Sequence, residues 1–347
     1  MIKEELAAGR QLAVCPYAEV GMALVELLEK VYAVKDVTIF DNGLSKYNPA
    51  IHSVEELKKQ DTENMTLILT SMSDKNSEEI KKQINDLGTN IVVRSILEPD
   101  ILESPQKADY FQNIRKLLSC KKVKAKNYVR IGGERGDGGY IMVDDFNSQM
   151  HAYSVGIGDN VTWDMELAHK GIKVFMYDHT IYHLPQVHNN FAFQRLGVGT
   201  GEQCMPLADI LRKNGDLDNR NLVLKMDIEG AEWDVLDSIS SGLLNNFMQI
   251  SLELHGICNL EHKEQILKIL HKLGITHQAV WVHGNNIDKA ETAEGILVPN
   301  LIETTYVRKD DCLFEDGACE FPMPLDLPNI ARRRDFILGN WGVESDD

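Results

Sequence analysis

The chain has 347 residues, 43% of them hydrophobic, and a formal charge of −17 from 53 acidic residues against 36 Lys and Arg. That length exceeds most single domains, and the composition fits neither a disordered chain nor a fibre, so two packed domains are expected. The acidic balance argues against a passive grip on a nucleic-acid backbone or an anionic membrane.

Cys15, Cys120, Cys204, Cys258, Cys312 and Cys319 are scattered without a C-x-x-C pair, which fits free thiols in a reducing compartment. MIKEELAAGR carries charges where a secretory signal needs an apolar core, and no run reaches the length of a membrane span. A cytoplasmic protein is expected.

Apolar runs alternate with helical patterns over the first hundred residues, as in a parallel sheet with crossovers. Strands are expected at Leu12–Val14, Val37–Phe40, Thr66–Leu69 and Ile91–Val93, and helices at Glu19–Lys30 and Ser77–Leu87. In the first turn, CPYAEVG leaves only Gly21 where a dinucleotide fold places three glycines. Asp41 ends the second strand where a ribose-binding acid would stand, but without the glycine loop the unit reads as serving packing, assembly or substrate presentation.

Ser104-Pro105 reads as a cap and first turn of a helix through Phe111, Ile114 and Leu118. Lys116, Lys121, Lys122, Lys124 and Lys126 at its end complement the helix dipole, so this stretch reads as a connector and not a nucleic-acid patch. YVRIGGERGDGGYIMVDD, from Tyr128 to Asp145, is expected to be a hairpin with a glycine-rich tip. Either the tip is a plain turn, or it lies over a ligand with Tyr140 offering a ring and Arg130 or Arg135 a charge.

His151–Val155 is a strand running into Gly156-Ile157-Gly158-Asp159-Asn160, with Thr162 as the cap of the next helix. Lys173–Tyr177 is the following strand, and it ends at Asp178. Neighbouring parallel strands bring that acid beside the glycine turn, where the two can hold parts of one nucleoside. The third glycine of a dinucleotide fingerprint is missing, and Asp159, Asp178 and Asp227 would repel a pyrophosphate while stabilising a sulfonium cation. S-adenosylmethionine therefore fits better than NAD.

Further strands are expected at Phe193–Val198, Met248–Leu254, Ala279–His283 and Thr304–Arg308, and helices at Leu207–Lys213 and His262–Leu273. Between them lies LVLKMDIEGAEWDVLDSI, Leu222 to Ile239, an apolar run that turns acidic at Asp227 and Glu229, passes Gly230 and becomes helical. A parallel strand that ends in carboxylates marks the mouth of an open α/β sheet. Glu229 could equally cap the helix that follows.

These residues resemble the FkbM-type S-adenosylmethionine-dependent methyltransferases, whose strand ends K-x-D-x-E-G-x-E, here Lys225, Asp227, Glu229, Gly230 and Glu232. The resemblance covers about Tyr128 to Arg308 and includes PLADIL at Pro206–Leu211 and TTYVR at Thr304–Arg308. It implies a class I methyltransferase, a Rossmann-like seven-stranded α/β sheet with helices on both faces. It also implies cofactor held by Gly156, Gly158 and Asp178, and methyl transfer to a hydroxyl oxygen, often on a sugar or polyketide. With FDN and IHSVEEL, the amino-terminal unit is similar to the degenerate Rossmann-like domain of some bacterial members. The expected division is residues 1–103, a helical connector at 104–127, the methyltransferase domain at 128–310, and an extended strap at 311–347.

Methyl transfer to an alcohol needs an aligned acceptor and a group to take its proton. Asp227, His255 and His283 are the candidate catalytic residues, with either histidine as general base. The alternative mechanism has Asp227, Glu253 and His255 holding a divalent cation such as Mg. Gly156, Gly158, Asp159, Asn160, Asp178, Asp227 and Tyr140 are the candidate cofactor residues. Asn189-Asn190 and Asn285-Asn286 could bond polyol hydroxyls or simply turn the chain. The expected partner is a small hydroxylated acceptor, sugar-related, with a homo-oligomer open. Two other classes compete: an NAD-dependent sugar oxidoreductase and a non-catalytic assembly protein that keeps the fold.

Overall fold

The computed structural model describes residues 2–341 apart from 31, 72, 97–104, 135, 294, 316 and 318. The expected cap Ser104 and the loop charge Arg135 lie outside the described residues. The chain divides into two compact units, residues 1–105 with 293–295, and residues 106–292 with 296–347.

In the first unit α1 (Ile2–Ala7), β1 (Gln11–Cys15), α2 (Glu19–Lys30), β2 (Thr38–Ile39), β3 (Met65–Leu69), α3 (Asp74–Asp86) and β4 (Val92–Ser95) build a parallel sheet of order β2-β1-β3-β4. Successive side chains of a strand face opposite ways. Leu12 and Val14 accordingly pack with Leu24, Leu28 and Ile68, while Ala13 and Cys15 pack with Phe40, Leu57 and Ile84. Asp41 is occupied by the fold itself. One carboxylate oxygen accepts from the Tyr17 amide at 3.0 Å, and the other from Gly43 and Leu44 at 2.8 and 2.9 Å.

The second unit opens with α4 (Pro105–Leu117), which buries Phe111 and Ile114, and the antiparallel pair β5 (Tyr128–Ile131) and β6 (Tyr140–Val143). Next come β7 (His151–Val155), α5 (Thr162–His169), β8 (Lys173–Tyr177), β9 (Phe191–Gln194), β10 (Gly197–Val198), β11 (Cys204–Met205) and α6 (Leu207–Asn214). Then follow β12 (Leu222–Met226), α7 (Glu232–Ser238), α8 (Ser241–Leu244), β13 (Phe247–His255), α9 (Lys263–Thr276), β14 (His277–Gly284), the short β15 (Ala290–Ala293) and β16 (Ile296–Pro299), and β17 (Leu301–Arg308).

Seven of these strands form one sheet in the order β14-β17-β13-β12-β7-β8-β9. Only β17 runs antiparallel to its neighbours, β13 and β14. This is the Rossmann-like seven-stranded sheet expected from the sequence. The expected strand at Phe193–Val198 is two pieces: β9 joins the sheet, and β10 leaves it to pair with β11. In β12 all five residues are buried. Each fully buried Leu, Val or Met side chain there contributes roughly 1.5–3 kcal/mol, enough to explain why the central strand is a continuous apolar run.

The order also locates the mouth. From β7 the chain steps outward through β8 and β9, then returns to β12 on the other side of β7. That reversal opens a crevice beyond the carboxyl ends of β7 and β12, where ligands of open α/β sheets bind.

Candidate active site

The crevice is a cleft of 420 Å³ whose lining includes Gly156, Gly158, Asp159, Asn160, Asp178 and Asp227. Six candidate cofactor residues thus meet in one place, although they come from three strand ends. Gly156 leaves β7 with φ +81°, and a Cβ there would lie 1.6 Å from the Asp227 carbonyl oxygen. The two strand ends close so tightly that no side chain fits between them. Lys225, 4% exposed, reaches across to donate to the Gly156 carbonyl at 2.8 Å, and its ammonium lies 4.0 Å from Asp227.

Asp178 ties the glycine turn from below. One oxygen accepts from the Ile157 and Gly158 amides at 2.9 and 3.0 Å, the other from the Thr180 amide and hydroxyl at 2.7 and 2.6 Å. Burial pushes its pKa up, but the bonds from Thr180, Gly158 and Ile157 outweigh that and hold it at about 2. Asp178 is therefore a fixed carboxylate at neutral pH, and these four bonds take up its lone pairs, so it holds the turn in shape.

Two candidates sit differently from expectation. Tyr140 is fully buried and packs edge-on against Trp281 at 6.1 Å, so its ring belongs to the core and not to the cleft lining. Asn160, and not Thr162, supplies the side chain at the start of α5: its carbonyl oxygen accepts from the Thr162 amide and hydroxyl at 3.1 and 2.7 Å. Its amide donates to the Asp137 carbonyl at 3.1 Å, tethering the hairpin loop to the cofactor turn.

At the end of β12 the backbone turns left-handed at Glu229, φ +57°, and Gly230, φ +101°. A non-glycine residue in that region costs energy and is found most often at functional sites. Glu229 does not cap α7. Glu232 reaches back instead, one oxygen accepting from the Gly230 amide at 2.9 Å and the other from the His255 amide at 2.7 Å. The same Glu232 oxygen is 3.2 Å from His255 Nδ1, and Trp233 donates its indole N–H to the His255 carbonyl at 2.7 Å. His255 is thus held at amide, carbonyl and ring by two consecutive residues of α7. Its Nε2 lies 3.4 Å from Glu229, and one ligating atom each of Asp227, Glu229 and His255 fall within 4.8 Å of one another. Burial pushes the imidazole pKa down, yet Glu232, Asp227 and Glu229 raise it on balance above its ordinary value.

His283 is not arranged as a base. It is 1% exposed, with Nδ1 at 2.9 Å from Glu303 and Nε2 at 3.0 Å from both oxygens of Asp335. Against the opposing effect of burial, the hydrogen bonds to Asp335 and Glu303 lift its pKa to about 10. Both nitrogens then donate, and an imidazolium cannot accept a proton. His283→Ala removes one partner of a buried ion pair and is expected to cost about 3–5 kcal/mol of stability, measured by urea unfolding. A loss below about 1 kcal/mol, the range of exposed pairs, would contradict the assignment.

The three residues considered for a cation do not form one group, although Asp227 meets each of the others, hydrogen-bonded to Glu253 and beside His255. His255 joins Asp227 and Glu229, while Glu253 joins a second group with Asp137 and Glu303. Asn285 is part of that second group and not a turn residue alone: its amide donates to Glu253 at 2.7 Å and to Glu303 at 3.3 Å. Glu232, Glu303 and Asp335 had no assigned role in the sequence. Only the last Glu of K-x-D-x-E-G-x-E pointed to one of them.

Residues 142–275 match the family model of the methyltransferase FkbM domain. Among solved structures, the chain is similar to the methyltransferase FkbM from Methylobacillus flagellatus KT, at 12% identity, with 88% of this chain and 92% of that chain covered and a TM-score of 0.41. It is also similar to phosphoethanolamine N-methyltransferase 2 from Haemonchus contortus, solved with phosphomonomethylethanolamine and S-adenosylhomocysteine. There the identity is 8%, the coverage 79% of this chain and 80% of that chain, and the TM-score 0.18. Neither alignment is close enough to transfer residues. No curated protein matches.

Proposed function

We propose, from the methyltransferase FkbM domain that the chain carries over residues 142–275, that it is an S-adenosylmethionine-dependent O-methyltransferase. Its acceptor would be a hydroxyl of a small molecule, a sugar or sugar nucleotide of surface-polysaccharide assembly. The observation that carries this reading is a histidine locked by a buried glutamate at the rim of a carboxylate-lined cleft.

When bound, S-adenosylmethionine supplies an electrophilic methyl group on a cationic sulfonium. The residues fit such a group: the cleft of 420 Å³ has the size of a small-ligand site, and Asp159, Asp178 and Asp227 make its wall anionic. Gly156 and Gly158 would let backbone approach the ligand, and Asp178 would hold that turn in place through the Ile157 and Gly158 amides. Asp227 would stand between cofactor and acceptor.

His255 would take the acceptor's proton on Nε2 while Nδ1 stays on Glu232. Only the neutral imidazole can do this, and its pKa is raised. The rate is therefore expected to climb with pH through an ionisation above ~6.5, the ordinary histidine value. Glu232→Gln removes the largest raising influence and is expected to move that limb to lower pH. An unmoved limb in Glu232→Gln would sink the pairing.

The direct test incubates the chain with methyl-labelled S-adenosylmethionine and a panel of saccharides and sugar nucleotides, with the product mapped by mass spectrometry. Label on a hydroxyl oxygen supports the reading. Label on nitrogen or carbon overturns it.

A further inference from the structure

We propose that Asp137, Glu253 and Glu303, with the Tyr140 hydroxyl, form a binding site for a divalent cation beside the cleft. One carboxylate oxygen from each acid lies within 4.8 Å of the others. That is the span of two oxygens facing each other across an ion bound at ~2.4 Å. Glu253 and Glu303 are directly opposite in the β13–β17 ladder, and both are buried. Asp137 comes from the hairpin loop, is exposed, and lines the cleft, so the site opens toward the acceptor side.

Acids can cluster for other reasons, and the Tyr140 hydroxyl supplies the independent sign of a ligand. Tyr140 is 0% exposed, and its hydroxyl has no hydrogen-bond partner among the described residues. The acids that act on it are Asp227, Glu253, Glu303 and Asp137. Burial, with the charges of Asp227 and Glu303, lifts the Glu253 pKa to about 11, so without an ion that acid keeps its proton and shares it with Asp227. Leaving a buried hydroxyl unmatched is costly, because it has given up its bonds to water. A second buried oxygen is also without a partner among the described residues: Asn329 Oδ1, on the amide whose nitrogen donates to Asp137 and Glu303.

The charge balance points to a cation. Around the cluster stand Asp137, Asp227, Glu253, Glu303, Asp326 and Asp335. Against them the surroundings bring the Arg130 guanidinium, the His283 ring and, at Asp227, the Lys225 ammonium. Apart from the His283 ring on Glu303 and the Asp227 carboxyl on Glu253, the side chains bonded to Asp137, Glu253 and Glu303 among the described residues are neutral amides. Asn329 donates to Asp137 at 3.1 Å and to Glu303 at 2.6 Å, and Asn285 donates to Glu253 and Glu303. The ligand atoms are all oxygen, with no thiol or imidazole among them, which selects a hard ion of the Mg, Mn or Ca type. If the methyl-transfer reading holds, such an ion would also lower the pKa of an acceptor hydroxyl bound to it.

The test titrates the full chain, freed of metal by chelator, with Mn²⁺ alone, following free ion by electron paramagnetic resonance. A single saturable site is expected. Asp137→Asn, in an exposed loop that leaves the fold intact, and Glu303→Gln should each weaken it at least about tenfold, and Tyr140→Phe should weaken it without changing the packing of the ring. Absence of saturable binding, or binding indifferent to Asp137→Asn, would overturn the site. So would binding that Glu229→Gln abolishes, which would place the ion on the Asp227–Glu229–His255 group. Because no cofactor or acceptor is present, a failure here leaves the methyltransferase reading standing, and the converse also holds.

Discussion

His255→Ala is expected to lower kcat by about 10²–10⁴-fold, the range of a lost general base, while S-adenosylhomocysteine still binds. The expectation rests on how little else the ring does. Its backbone is held from outside the side chain, by Glu232 on the amide and Trp233 on the carbonyl, and both bonds survive truncation at Cβ. The rim of the cleft should therefore stay where it is. Glu232 loses only its ring partner and keeps the Gly230 and His255 amides, so no buried carboxylate is stranded. His283 is consumed by Glu303 and Asp335, and the imidazole that lines the cleft, His179, follows Asp178 at the end of β8 and not β13. Single-turnover kinetics would check the claim. A loss under tenfold would mean that the proton leaves by another route and that His255 is a hydrogen-bonded part of the turn.

Gly156→Ala should lose cofactor binding by about a hundredfold or more, equivalent to roughly 2.8 kcal/mol. Two costs add. A left-handed residue with a Cβ costs roughly 1–2 kcal/mol, and at Gly156 the new methyl also meets the Asp227 carbonyl oxygen at 1.6 Å. Relief requires β7 and β12 to part where they pair, Val155 with Met226, and that motion would drag Lys225 off the Gly156 carbonyl. Gly158→Ala is the control. Its φ of +56° carries a similar backbone cost, but nothing lies within 4 Å of the new atom, so the expected loss is under tenfold. Equal effects at the two positions would show that backbone freedom, and not the closeness of the strand ends, sets the cofactor turn.

Which parts of this site were legible in the sequence follows from chain separation. Leu222–Met226 announces itself because a strand buried on both faces is a plain apolar run. The glycine turn and Asp178 were found together because consecutive parallel strands end side by side, a rule that needs no knowledge of side chains. His255 was found as a histidine two residues past an acid at a strand end. Its partner Glu232 was visible only as a motif letter, because the bond depends on how α7 leaves the left-handed turn at Glu229.

The acid group beside the cleft was not legible. Glu303 meets Glu253 and His283 through antiparallel register in β17, and a shift of one residue would turn all three apart. Asn329 and Asp335 arrive from the carboxy-terminal stretch, expected as an extended strap, and meet residues 192 and 52 positions earlier in the chain. No local pattern encodes such meetings. The same reason explains His283: a strand-end histidine is a fair candidate base until the two carboxylates that protonate it are known.

The central claim is that the β7–β12 crevice is built for an adenosylated sulfonium and not for a dinucleotide. Calorimetry on one preparation, titrated separately with S-adenosylhomocysteine and with NAD, tests it most directly. Saturable binding of S-adenosylhomocysteine that Gly156→Ala removes, with no binding of NAD, is the predicted result. Binding of NAD alone, or of neither, would contradict it.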